Sequence, residues 1–201
     1  MRHILRARPG ALIAAALVIA LLAGCGSSSD TPGIERDADG LPVARVEARY
    51  ATALANDVDT LVSSMDAAFT GEIIGTGAGR HVQIGRGREQ PLPISVFLVR
   101  VEASAGGPAA GSIVRVEQFG GVTKGGEVRV LLAGDTAMSV GDRYVFVARQ
   151  DGPETYSASA FARFPIEDGR VTAPAGWDAT GASRALAGRT PAEAIEMLAG
   201  Q

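Results

Sequence analysis

From about residue 43 onward the sequence predicts a mainly β domain, a sandwich or a barrel with helices towards its ends. Three observations predict it. Short runs rich in Val, Ile, Phe and Tyr alternate apolar and charged side chains, as in Ile113-Val-Arg-Val-Glu117; a two-residue period is that of a strand with one face buried. Glycine, proline and acidic clusters punctuate these runs, at Gly106-Gly-Pro108, Gly120-Gly121, Gly125-Gly126, Asp151-Gly-Pro153 and Asp168-Gly169, which is the spacing of an all-β fold. The period turns helical only near the two ends of the region. Roughly 155 residues are enough for one domain with its own core.

The elements follow in order. Val46, Tyr50, Ala53 and Leu54 recur at spacings of three and four and predict an amphipathic helix. A second, short helix is expected over 59–65, with Asp59 as its N-cap. Strands are expected over 67–74, over 94–101 after Pro93, over 113–117 and over 127–132. Three more are expected over 144–148 (after Gly141-Asp142), 155–160 and 161–166. At the C-terminus, Thr190 supplies an N-cap, Pro191 suits the first helical position and Glu193 completes a capping box. Ile195, Leu198 and Ala199 then share one face, Gly200 can end the helix, and the helix is expected to pack on the sheet.

The N-terminus carries a different signal. Arg2, Arg6 and Arg8 precede an almost wholly apolar run over 11–23, followed by Leu22-Ala23-Gly24-Cys25. The run is shorter than the roughly 20 residues a membrane-spanning helix needs, and the pattern is that of a secretory signal peptide over 1–24. The tetrapeptide resembles the lipobox of bacterial lipoproteins. That resemblance implies that Cys25 becomes the mature N-terminus, carries acyl chains and anchors the protein to the bacterial cell membrane, facing outside or periplasm. Two or more chains hold a protein at a bilayer where one binds only marginally. Cys25 is the only cysteine, so no internal disulfide is possible. Residues 25–42 are rich in Ser, Asp, Gly and Pro and read as a lipidated cysteine and flexible tether, lifting the domain some 20–25 Å off the bilayer. Residues 43–201 read as a single globular domain. Of 19 basic residues, loss of Arg2, Arg6 and Arg8 leaves 16 against 22 acids, a net charge of −6. Such a surface repels nucleic acid, which is not expected as a partner.

Three segments, Asp66-Ala-Ala-Phe-Thr-Gly-Glu-Ile73, Phe97-Leu-Val-Arg-Val101 and Gly141-Asp-Arg-Tyr-Val-Phe-Val147, occur in an order that resembles bacterial secreted and lipoprotein domains. Those domains are related in shape to the netrin-like module of tissue metalloproteinase inhibitors. The likeness spans about residues 58–170. It implies an OB-like barrel of five to seven strands, with a short N-terminal helix and a C-terminal helix packed on it. The inhibitors coordinate a protease metal through an N-terminal cysteine held by disulfides. Here the corresponding cysteine is expected to be lipidated and has no disulfide partner, so the fold carries over and the inhibitory activity does not follow with it.

One stretch invites a functional reading: Ile74-Gly-Thr-Gly-Ala-Gly-Arg-His-Val-Gln-Ile-Gly-Arg-Gly-Arg-Glu89. It lacks the glycine spacing and the following helix of a dinucleotide fingerprint, and the Gly-Lys-Ser/Thr of a P-loop. It reads instead as a long connection between the first two barrel strands, over 75–93, or as a protruding hairpin whose glycines permit turns. Arg80, His81, Arg86 and Arg88 would then stand in solvent as a positive patch on an acidic protein. In OB-folds the loop after the first strand is a ligand-binding loop. An envelope protein or an anionic surface is the expected partner.

Other chemistry is sparse. His3 is lost with the signal peptide, leaving His81 alone, so a zinc site of His and Cys is not expected and no cofactor is called for. No Gly-x-Ser-x-Gly elbow accompanies His81. Asp57, Asp59 and Asp66 lack calcium-loop spacing. Asp135 with Asp142, or Glu117 with Glu127, are conceivable carboxylate pairs. Trp177, in Pro174-Ala-Gly-Trp-Asp178, is either a plug against the barrel end or an exposed stacking platform. The expectation is a membrane-anchored, non-catalytic binding or structural module of the cell envelope. The alternatives are an inhibitor of a secreted hydrolase or protease, and a carboxylate-based hydrolase.

Overall fold

The computed structural model describes residues 34–37, 39–46, 55–83 and 91–200. Its first elements are β1 (Val43–Val46), α1 (Val58–Ser63), β2 (Ala67–Val82), β3 (Leu92–Gly106), β4 (Ile113–Val122) and β5 (Arg129–Leu132). Then come β6 (Arg143–Gly152), β7 (Thr155–Ser157), a 3-10 turn (Ala160–Ala162), β8 (Arg163–Glu167), β9 (Arg170–Val171), α2 (Gly181–Leu186) and α3 (Pro191–Ala199).

The fold is a mainly β, OB-like barrel with flanking helices. β2 pairs antiparallel with β3 on one side and, through Ala67–Glu72, with β6 on the other. β4 continues from β3, and β7 runs parallel to β4 and antiparallel to β6. The ring β2-β3-β4-β7-β6 thus closes with five strands, the Greek-key closure of an OB-type barrel. Beyond the ring, β5 flanks β4 and β1 runs parallel to β5, while β8 flanks β6 and β9 flanks β8.

Alternation along the strands divides the apolar residues into two cores. In β6, Tyr144, Phe146 and Ala148 face the barrel interior, and Val145 and Val147 face outward. Inside, Phe69 stacks on Phe146 with ring centroids 5.2 Å apart and meets Tyr156 edge-on at 5.4 Å. Outside, Leu61 of α1, Leu186 of α2 and Leu198 of α3 cover Ala68, Val145, Val147 and Phe164. Each fully buried Leu or Phe contributes about 1.5–3 kcal/mol of transfer free energy, so the helices give the outer wall of the barrel a core of its own.

Local chemistry sets the helix starts. The N-cap of α1 is Asp57, not Asp59: its carboxylate accepts from the Thr60 N–H at 2.7 Å. α3 carries the expected capping box, with Thr190 and Glu193 each accepting from the other's backbone N–H. α2, capped by Thr180, was not expected from sequence. Val46 lies in a strand that pairs with Leu132, and residues 47–54 of the helix expected around it lie outside the described residues. The run expected as one strand to 160 and another from 161 is broken by the 3-10 turn, whose Ala160, Phe161 and Ala162 are all buried in the outer core.

Residues 34–37 and 39–42, read as tether, are bound to the domain, and the compact unit begins at Ile34. The Val43 N–H donates to the Glu35 carbonyl at 2.9 Å. The Asp37 carboxylate accepts from the N–H groups of Asp39 and Leu41 at 2.9 and 2.8 Å, an Asx-type turn. The Arg129 guanidinium reaches back to Asp37 and, at 2.9 Å, to Asp39. The partner that orders this acidic segment is some 90 residues away in sequence, beyond the reach of a local reading.

Candidate functional site

The glycine-rich stretch is strand for most of its described length. β2 has 16 residues and runs through Gly75, Gly77 and Gly79 to Val82, paired antiparallel with β3 up to Val82 opposite Leu92, so the hairpin alternative holds for residues 75–82 and 92–93 of the expected connection; residues 84–90 lie outside the described residues. Pairing with β3 overrides the weak strand propensity of glycine. Bulges fall between Ile73 and Gly75 and between Gly77 and Arg80. At the second, a Cβ on Gly79 would stand 2.7 Å from the Ile94 carbonyl oxygen, so the close approach of the two backbones requires glycine there.

Pairing of β2 with β6 stops at Glu72 opposite Arg143. One further contact follows, in which Ile73 exchanges backbone hydrogen bonds with Asp142 at 2.9 Å and Gly141 at 2.8 Å. Above it, β2 and the segment before Gly141 splay apart, and a cleft of about 560 Å³ opens at the barrel mouth. Thr76, Gly77, Gly79, Arg80 and His81 on β2 form one wall and Ala137, Met138 and Ser139 the other. Ile94, Phe97 and Val122 add apolar lining, while Asp37, Asp39 and Arg129 lie at the N-terminal rim.

The structure brings Arg80 and His81 together on this cleft. Arg80 is not a free cation. Its Nε and Nη2 donate to the two oxygens of Glu117 at 3.1 and 2.7 Å, across β3. Those hydrogen bonds outweigh its partial burial and hold the guanidinium protonated beyond its ordinary range. His81 is exposed. Arg86, Arg88 and Cys25 lie outside the described residues.

Trp177 sits elsewhere. It is 8% exposed and packs in the outer core, its ring centroid 5.5 Å from that of Phe161. Of the two expectations, the exposed stacking platform is ruled out; Trp177 is a packed side chain in the core outside the barrel. Gly134 makes room for it: at φ +75° a Cβ there would approach the Trp177 Nε1 to 3.2 Å.

A buried polar cluster supports the second wall of the cleft. Asp135 and Arg163, 5% and 3% exposed, form an ion pair. Gln118 donates to the Asp135 carboxylate at 3.0 Å and to the Thr136 carbonyl at 2.8 Å, and accepts from the Met138 N–H at 3.3 Å. Arg45 donates to the Asp135 carbonyl at 2.8 Å. These bonds fix residues 135–138 against β4 and β8. The sequence held one signal of this, a glutamine at an inward position of an otherwise apolar-inward strand. Nearby, Tyr144 donates to Asp142 at 3.2 Å; burial, and then the Asp142 charge, push its ionisation well above the usual phenol range.

The carboxylates considered as pairs are engaged separately. Asp135 binds Arg163 and Gln118, Asp142 accepts from the Ser139 N–H at 2.8 Å, and Glu117 holds Arg80. Glu127 is exposed. Among the described residues no group of three or more His, Cys, Asp or Glu side chains is placed to hold a metal ion, and no helix is long and apolar enough to cross a membrane. A concave site with an apolar lining and a polar rim is suited to holding a ligand. No protein-family model matches this chain, and no curated protein matches it either.

Proposed function

We propose that this chain is an exported lipoprotein, anchored to the cell membrane through Cys25, whose barrel serves as a non-catalytic binding module of the cell envelope. The cleft at the barrel mouth is its binding site. The observation that carries this reading is the placing of Arg80 and His81, two of the residues singled out from sequence, on the wall of that 560 Å³ cleft. The Arg80–Glu117 bridge orients the rim, and Ile94, Phe97 and Met138 supply apolar contact. The lipobox-like Leu22-Ala23-Gly24-Cys25 supports the anchor.

Two measurements test the proposal. Wild type carries metabolically incorporated acyl label and fractionates with membranes, whereas Cys25→Ala carries none and is released; a Cys25→Ala protein that still partitions with membranes refutes the anchor. Wild type and a variant with Arg80, Arg86 and Arg88 all changed to Ala are used to isolate partners from solubilised envelope. The account predicts partners lost from the variant, and identical sets remove the arginines from it.

A further inference from the structure

Among the described residues, the second half of β2 is a strand with one neighbour. Residues 75–82 pair with β3, but on the opposite side the described backbone hydrogen bonds end at Ile73. Thr76, Ala78, Gly79, Arg80 and His81 are exposed, so no described element covers that edge. A backbone N–H or C=O is an obligatory hydrogen-bonding group, and a row of them along a strand is a template for another chain. Most exposed edges face open solvent. This one borders the cleft, and across the cleft stands the segment 137–139, held rigid by Gln118 and the Asp135–Arg163 pair.

We propose that an extended peptide segment of a partner protein inserts into this cleft as an added strand, pairing antiparallel or parallel with β2 between Ile74 and Val82. The proposal rests on the reading of the cleft as the binding site and names the class of its occupant. Hydrogen bonds to the β2 edge supply affinity irrespective of side chains. The two-residue period of the inserted strand turns alternate side chains toward the Ile94, Phe97 and Met138 lining, which selects apolar residues at every second position. The two bulges and Arg80 confine an added strand to short runs of pairing along this edge, so contact with the cleft lining, and not ladder length alone, holds the occupant. Gly75 supports close approach: a Cβ there would meet only the Leu98 side chain, at 3.7 Å, so the sheet itself does not require glycine at this position.

The test uses the full-length protein in detergent and a displayed library of random twelve-residue peptides. Enriched peptides are synthesised and methylated at one backbone nitrogen at a time. Strand addition predicts a two-residue period in the result. Methylation at ladder positions weakens binding about fivefold or more, a loss of one hydrogen bond, and at the positions between leaves it within about twofold. Amide exchange within 74–82 slows on binding. Ala78→Lys and Thr76→Pro, each checked by its melting temperature, weaken binding of the same peptide. Peptides that bind with no such period, yet protect 137–139 and lose affinity in Phe97→Ala, overturn strand addition and leave the cleft as a binding site. Failure to enrich any peptide, protection confined to other regions, or protection of 74–82 that appears only with concentration-dependent dimerisation each overturns the proposal.

Discussion

Removing the Asp135 carboxylate isolates a buried cation. Arg163 is 3% exposed, and its Nε has no partner among the described residues, so the guanidinium depends on its contact with Asp135. In Asp135→Ala that contact is gone and desolvation of the charge is uncompensated, at a cost of about 3–5 kcal/mol. Gln118 loses one acceptor but keeps the Thr136 carbonyl, so the burden falls on the arginine. With a urea slope of about 2 kcal/mol/M, the unfolding midpoint drops by about 2 M. The melting temperature falls by roughly 6–20 °C, at 2–4 °C per kcal/mol for a chain of this size. The informative partner is the double variant Asp135→Leu, Arg163→Met. It removes both charges and refills the space with apolar atoms, so it returns to within about 1 kcal/mol of wild type or exceeds it. Equilibrium urea unfolding of the three proteins measures this. An Asp135→Ala protein within about 1 kcal/mol of wild type, or a double variant no better than the single one, would falsify the reasoning.

Trp177 is the only tryptophan, and its burial against Phe161 predicts blue-shifted emission that moves to the red on unfolding; Trp177→Ala costs about 3–5 kcal/mol, and native emission typical of exposed tryptophan contradicts its placement. Gly181→Ala places a Cβ 1.8 Å from the Asn56 carbonyl oxygen, whereas Gly106→Ala meets nothing within 4 Å. The first therefore lowers stability by about 1–3 kcal/mol or more and the second leaves it nearly unchanged, as thermal melts of both will show. At α3, hydrogen bonds from the Thr190 N–H and then its hydroxyl hold the Glu193 carboxyl below its ordinary range. A depressed carboxylate contributes stability that is complete above its unfolded value of about 4.3 and is lost as pH falls through the folded value. The difference in melting temperature between wild type and Glu193→Gln is thus constant from neutral pH to about pH 5 and shrinks below about pH 4; a difference that persists to pH 2 contradicts the capping geometry.

What the sequence discloses follows the range of the forces involved. The β3 and β6 runs announce themselves because burial writes a dense apolar pattern, and α3 does so because its capping box is local, closed between Thr190 and Glu193. β2 is legible only to Ile74. Beyond it, Gly75, Gly77 and Gly79 erase the pattern, and the strand persists because β3 lies alongside, an interaction between distant residues. The same holds for β1, whose partner β5 lies more than 80 residues on, and for the acidic 34–42 segment, ordered by Arg129. α2 has six residues and opens on a glycine, and its stability comes from burying Ala182 and Leu186. Of the residues that line the cleft, the sequence marks Arg80 and His81 by type. The ion pair to Glu117, the splaying of β2 from the 137–139 segment and the Asp135–Arg163–Gln118 cluster were not, because each depends on register between strands far apart in the chain.

The central claim is that the cleft between β2 and the 137–139 segment is where this protein meets its partner. Amide hydrogen exchange, measured on the full-length protein in native envelope membranes and again after purification in detergent, tests it directly. The account predicts that 74–82 and 137–139 exchange more slowly in the native membranes than in isolation, while the paired Ala67–Glu72 half of β2 is unchanged. Equal rates in the two settings, or slowing confined to surfaces away from the cleft, contradict it.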